Sequence, residues 1–167
     1  QGLQRGLTGV IERIGLPGGT LRVGDGGTSP ATNQLCDAPD HAAAVAQLME
    51  LLDGRIGLNN IAAVGHRIVH GGERYVHSSP IDEALVAELR RLSPLDPAHL
   101  PGEIAIIDGV QRSCPRLRQF ACFDTAFHCD LPRVARLLPL PRRCAAAGIR
   151  RYGFHGLSYT YLLEELA

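Results

Sequence analysis

The run Ile61-Ala62-Ala63-Val64-Gly65-His66-Arg67-Ile68-Val69-His70-Gly71-Gly72-Glu73 leaves an apolar stretch and enters a glycine pair. Its first nine residues are short-range apolar and rich in β-branched side chains, which predicts a buried strand over residues 61–69. Gln119 to Phe123 reads as a second strand, running directly into Asp124. Two helical patterns lie between them. Pro80 and Asp82 open the first, with Leu85, Val86, Leu89 and Leu92 as its inward stripe. Pro101 and Glu103 open the second, which ends near Cys114-Pro115. Strands alternating with helices predict an α/β layered fold.

Upstream, Leu7 to Ile14 reads as a strand and Thr20 to Val23 as its hairpin partner, with the turn at Pro17-Gly18-Gly19. Gly24 to Pro39 is rich in Gly, Pro, Ser and Thr and reads as loop. Within it Gly24 to Gly27 lacks the GxGxxG spacing of a phosphate loop and reads as a turn. Asp40 is placed to cap a helix reaching about Leu52, with Gly54 just past its end and Val45, Leu48, Leu51 and Leu52 on one face. Downstream, Leu131 to Leu140 is bounded by prolines and reads as irregular or a short helix. From His155 or Gly156 the spacing of Leu157, Tyr161, Leu162 and Leu166 predicts a helix still running at Ala167, the pattern expected of a fragment.

Composition narrows the functions. With 45% hydrophobic residues the chain can build a core, and its 167 residues suit one domain or part of a larger protein. Net charge is zero, so the broad cationic field used on duplex DNA is absent and no nucleic-acid partner is expected. No apolar run is long enough to span a bilayer and no signal-peptide pattern is visible, so no membrane partner is expected either. All 17 basic residues are arginine. Without lysine this stretch can complete neither a Walker-type loop nor a Schiff base. Cys36, Cys114, Cys122, Cys129 and Cys144 form no CxxC pair and read as reduced thiols of a reducing compartment.

Three segments carry candidate chemistry. Arg67 is a charge in an apolar strand, which calls either for an internal carboxylate or for a place at a cleft, where the strand ends of α/β sheets bind ligands. His66 and His70 have zincin spacing, but Arg67 stands where that motif needs Glu and the context is a strand, so a zinc site is not expected. Asp124, directly after a strand, could organise Mg²⁺ through water or simply cap a turn. In Arg151-Tyr152-Gly153-Phe154-His155-Gly156 the two glycines would let backbone approach a ligand, and His155 would sit at a helix N-terminus that favours anions. The plain alternative is a His satisfied by local backbone.

Taken in order, His66-Arg67-Ile68-Val69-His70-Gly71-Gly72, Phe123-Asp124-Thr125-Ala126-Phe127-His128 and Arg151-Tyr152-Gly153-Phe154-His155-Gly156 resemble the motifs of the acetate kinase family, as does Gly9-Val10-Ile11-Glu12-Arg13-Ile14-Gly15. The resemblance spans nearly the whole chain. It implies a ribonuclease-H-like domain of the actin, Hsp70 and sugar kinase type, normally one of two duplicated domains. Residues 1–167 would be most of the N-terminal domain, without its first strand and Asn-x-Gly-Ser-Ser loop and without the C-terminal half. It implies reversible transfer of the γ-phosphoryl group of ATP to acetate or propionate, giving an acyl phosphate, with Mg²⁺ as cofactor. It also implies a cytoplasmic homodimer. By the same resemblance Arg67 binds substrate, His155 donates to the transition state, and Asp124 matches the catalytic acid–base residue; because proton transfer has little to do in this reaction, the role favoured for Asp124 is to organise Mg²⁺, mostly through water. Val69, Leu95 and Phe154 would line the acyl pocket. Two departures stand out. Pro94-Leu95-Asp96-Pro97-Ala98-His99 lacks the family's His after Leu, a donor that His99 could replace, and Gly156-Leu157-Ser158-Tyr159 replaces Gly-Thr-Ser-His. Both point to another acid substrate or to a fold that has lost turnover.

Overall fold

The computed structural model describes residues 6–26 and 32–167. The chain divides into two compact units, residues 1–60 with 108–115, and residues 61–107 with 116–167.

In the first unit β1 (Thr8–Glu12), β2 (Thr20–Gly24) and β3 (Thr32–Leu35) form an antiparallel sheet in that order. The β1–β2 hairpin has the expected partners, with Val10 opposite Arg22 and Glu12 opposite Thr20. Its connection is held by Arg13, whose Nε and Nη2 donate to Pro17 O at 3.1 and 2.9 Å. β3 falls where the sequence predicts loop. All four of its residues are exposed, so Thr-Asn-Gln-Leu shows no alternation to read. Residues 27–31 of that predicted loop, Gly27 of the predicted turn included, lie outside the described residues.

Helix α1 (His41–Ile56) starts where expected, with the Asp40 carboxylate accepting from Ala43 N–H at 2.8 Å. It runs past Gly54 and ends at Gly57, whose φ of 76° is the left-handed conformation that glycine adopts without strain. Leu21 and Val23 of β2 pack with Cys36, Ala38 and Ala44 as the core of this unit.

In the second unit β4 (Val64–Ile68) runs parallel to β6 (Gln119–Phe123), and the short β5 (Ser79–Pro80) lies antiparallel on the other edge of β6. Pro80, predicted to open a helix, belongs to β5, and α2 (Glu83–Leu92) starts after the Asp82 cap. All four stripe residues of α2 are buried. They share a core with Leu100, Ile104 and Ile107 of α3 (Leu100–Ser113), Ile68 of β4, and Ala121 and Phe123 of β6. The predicted strand over 61–69 is shorter and half-buried: His66 and Ile68 face inward, Gly65 and Arg67 outward. Alternation explains this, since a β-strand sends neighbours to opposite faces.

Register then positions the chemistry. Ile68 pairs with Phe123 in the parallel ladder, so both strands end at the same sheet edge. Val69 and Asp124 therefore leave the sheet side by side. A 3₁₀ turn, Asp124–His128, follows β6. Two short helices, α4 (Arg133–Arg136) and α5 (Arg142–Ala146), precede α6 (Gly156–Leu166). Among the described residues no helix is long and apolar enough to cross a membrane.

Candidate active site at the ends of the parallel strands

Arg67 reaches from β4 to Asp124 at the end of β6. Its Nε and Nη2 both donate to Asp124 Oδ2, at 3.1 and 2.6 Å. The two sequence alternatives for Arg67, an internal carboxylate or a cleft, thus meet in one place. The pair is asymmetric: the Asp124 side chain is 1% exposed and that of Arg67 54%. The Asp124 bond, opposed by burial, raises the guanidinium pKa further above its ordinary value, so the cation is permanent.

His155 completes the group. Its Nδ1 lies 3.4 Å from Arg67 Nη2. A guanidinium has only donors, so Nδ1 must accept and a neutral ring carries its proton on Nε2. His155 sits in the left-handed region, at φ 59° and ψ 23°, at the N-cap of α6 and without a side-chain capping bond. That conformation costs a non-glycine residue about 1 kcal/mol or more and is typical of functional sites. The α6 N-terminus meets a carboxylate of the chain itself, as Leu157 N–H points to Asp124 Oδ1 at 3.5 Å.

The two glycines around His155 are required by close packing. A Cβ on Gly153 would strike the His128 ring, and one on Gly156 would strike Asp124 O and Phe127 Cβ. His128 Nε2 lies 3.0 Å from Phe154 O, tying the His155 segment to the 3₁₀ turn that begins with Asp124. The close approach of these two segments brings His155 to Arg67.

The remaining predicted residues differ in burial. Val69 is buried and its N–H is shared by Oε1 and Oε2 of Glu103 at 3.2 Å each. Phe154 is 39% exposed and Leu95 65% exposed. Neither Val69 nor Leu95 is joined to the trio by a polar or ring contact among the described residues. His99, the candidate replacement donor, is bound to Asp96 Oδ1 at 2.8 Å. His66 and His70 are each engaged: His66 Nε2 with Gln119 Oε1 at 2.8 Å, His70 Nδ1 with Gly72 N–H at 2.9 Å. Burial lowers the pKa of both rings.

Sequence reasoning missed two supports. Glu103 reads as a helix-opening residue, yet it fixes the Val69 backbone, and burial pushes its carboxyl pKa up against that N–H. Thr125 Oγ1 accepts from Gly71 N–H at 3.0 Å, pinning the glycine pair to the turn after β6. Neither contact has a local signal, since each partner lies more than thirty residues away.

For a cation the donor set is narrow. Oδ2 of Asp124 carries both guanidinium bonds, whereas among the described residues Oδ1 has only its long contact, leaving acceptor capacity for a metal-bound water. Among the described residues no three His, Cys, Asp or Glu side chains form a cluster fit for direct coordination.

Comparison with known proteins shows the family. The model of the acetokinase family matches residues 3–167. The chain belongs to the acetokinase family. It is 38% identical to the acetate kinase of Chromobacterium violaceum over 162 residues, covering 96% of this chain and 40% of that protein. With the Bacillus mycoides acetate kinase it shares 39% identity over 163 residues, covering 95% and 41%. A propionate kinase structure from Francisella tularensis superposes with TM-score 0.86 at 29% identity, covering 95% of this chain and 41% of that one. The Porphyromonas gingivalis acetate kinase structure gives 0.83 at 33% identity, covering 92% and 40%. The ribonuclease-H-like α/β class expected from the sequence is thus the fold shared with these acetokinase-family structures, and the chain spans about 40% of the length of its relatives.

Proposed function

We propose that the protein carrying this chain is an ATP-dependent carboxylate kinase that converts acetate or propionate reversibly to an acyl phosphate. The observation that carries the reading is the direct linkage of Arg67, Asp124 and His155 at one sheet edge. A carboxylate substrate is already ionised at neutral pH, so no general base is needed. Its oxygen attacks the γ-phosphorus in line, the new C–O–P linkage forms, and the bond to the bridging oxygen breaks with its electron pair leaving on ADP.

Catalysis then rests on position and charge. Asp124 holds the guanidinium of Arg67 by its Nε and Nη2, and none of the contacts described uses Nη1. That half-exposed edge is free to grip a carboxylate or phosphoryl oxygen. His155, with Nδ1 accepting from Arg67, offers Nε2–H to an equatorial phosphoryl oxygen. Magnesium would neutralise phosphate charge, with Asp124 Oδ1 accepting from one of its waters. Val69, Leu95 and Phe154 would line the acyl side.

Residues 1–167 would form most of the N-terminal domain of a homodimeric cytoplasmic enzyme using ATP and ADP. A second reading, a kinase for a different small acid or a non-catalytic relative, is favoured by one observation. Asp96 stands where the resemblance expects a His donor, and it pairs with His99.

The test is a hydroxamate assay for acyl phosphate on the full-length protein. Arg67→Ala and His155→Ala should each lower the rate by at least ~10²-fold. No signal with acetate, propionate or butyrate rejects the substrate class, and calorimetry with Mg-ATP then separates another kinase from a module that does not bind nucleotide.

A further inference from the structure

Apart from the trio, the second unit holds a cavity of about 830 Å³ with four arginines, Arg133, Arg136, Arg142 and Arg150, in its wall. The one acidic residue lining it is Glu73, so the wall carries an excess of three positive charges. Arginine stays charged at any physiological pH and its fork matches phosphate oxygens. Like charges gathered around one hollow repel each other unless an anion joins them.

Two details point to a ligand. Arg150 Nε lies 3.1 Å from Glu73 Oε1, near enough for an ion pair. Yet the N–H is misaligned, and this buried donor has no hydrogen-bond partner. Glu73 neutralises one guanidinium of this wall, and among the described residues Arg133, Arg136 and Arg142 have no carboxylate partner, so the hollow keeps positive charge that an anion from outside the chain would neutralise. The volume also suits a small phosphorylated molecule rather than a lone ion. Leu137, Leu140 and Ile149 supply apolar wall against which the uncharged part of such a molecule would lie.

The hollow is also wired to the segment that carries His155. Arg151 N–H donates to Arg136 O at 2.9 Å, tying α4 to the start of that segment. The Arg150 guanidinium stacks over the Tyr152 ring at 4.8 Å, and Tyr152 contacts the His70 ring at 4.5 Å. Arg150 thus touches the hollow on one side and, on the other, the aromatic contacts beside the glycine pair.

We propose that this hollow is a second anion site, which takes a phosphorylated small molecule. The inference stands on the arginine wall and does not depend on the reaction assigned to the trio.

The test is calorimetric titration of the full-length protein with inorganic diphosphate, repeated at rising salt. Arg136→Gln with Arg142→Gln should weaken the added site at least about tenfold, as expected for lost charge-assisted bonds. Glu73→Gln should tighten it severalfold, because it removes the competing carboxylate without removing a donor. Arg67→Ala should leave it unchanged, which separates it from the reaction centre. Should the double variant fail to fold, the Glu73→Gln titration still decides. Diphosphate binding that is absent, or unmoved by Glu73→Gln, or abolished by Arg67→Ala, overturns the proposal.

Discussion

The Arg67–Asp124 pair should respond unequally to removal of its two partners. Arg67→Ala deletes both bonds to Oδ2 and leaves a carboxylate at 1% exposure with, among the described residues, only the 3.5 Å contact from Leu157 N–H. Orphaning a charge in a fully buried pair costs about 3–5 kcal/mol. Here the Arg67 side is half open, and removing its side chain admits water, so the expected cost is roughly 2–3 kcal/mol. Asp124→Asn is milder. The amide keeps an acceptor oxygen and Arg67, at 54% exposure, turns to solvent. Its cost should be near the lower bound for one charged hydrogen bond, about 1.5 kcal/mol. For a chain of this size the difference separates the two melting temperatures by a few degrees, at roughly 2–4 °C per kcal/mol. Thermal melts and urea titrations followed by circular dichroism measure both. An Asp124→Asn variant as unstable as Arg67→Ala, or more so, would refute the view that burial of the carboxylate governs the pair.

Gly156→Ala should destabilise by about 2–4 kcal/mol, because its Cβ has backbone and Phe127 in its way; a variant melting like the parent would mean that the turn after β6 gives way easily. His66 and His70 have native pKa values below the ordinary 6.5, chiefly through burial. The unfolded chain therefore binds more protons as pH falls through that value, and stability should decline below about pH 6.5 and hold above it. His66→Gln should flatten that decline in melts taken between pH 5 and pH 8, and a slope of the opposite sign would contradict the burial of both rings. Glu103→Gln should leave stability at neutral pH unchanged or slightly higher, since it removes a partly buried charge and keeps an acceptor for Val69 N–H. A loss of more than ~2 kcal/mol would show that the charge itself is needed.

Local patterns made most elements legible. The α2 stripe, the Asp40 and Asp82 caps and strand β6 all follow from short-range rules, and all appear in the structure. The misses have equally local causes. β3 is an exposed edge strand with no inward apolar face, and Gly54 sits inside α1 because the turn continues to a glycine three residues on. Arg67, Asp124 and His155 could be picked as candidates from the motifs that carry them, while Glu103 and Thr125 could not, because their partners are remote in the chain.

The sequence by itself determined the α/β class, the family and the residues worth testing, since periodicity, caps and motif order are properties of neighbouring residues. Only the tertiary structure decided what those residues do to one another. The parallel register of β4 and β6 puts Arg67 beside Asp124, two glycines without side chains let the His155 segment close over the 3₁₀ turn, and four arginines unremarkable in sequence converge on one hollow. The physical reason is common to all three: charge pairing and close packing depend on distance in space, and that distance is set by strand register and by side chains far apart along the chain.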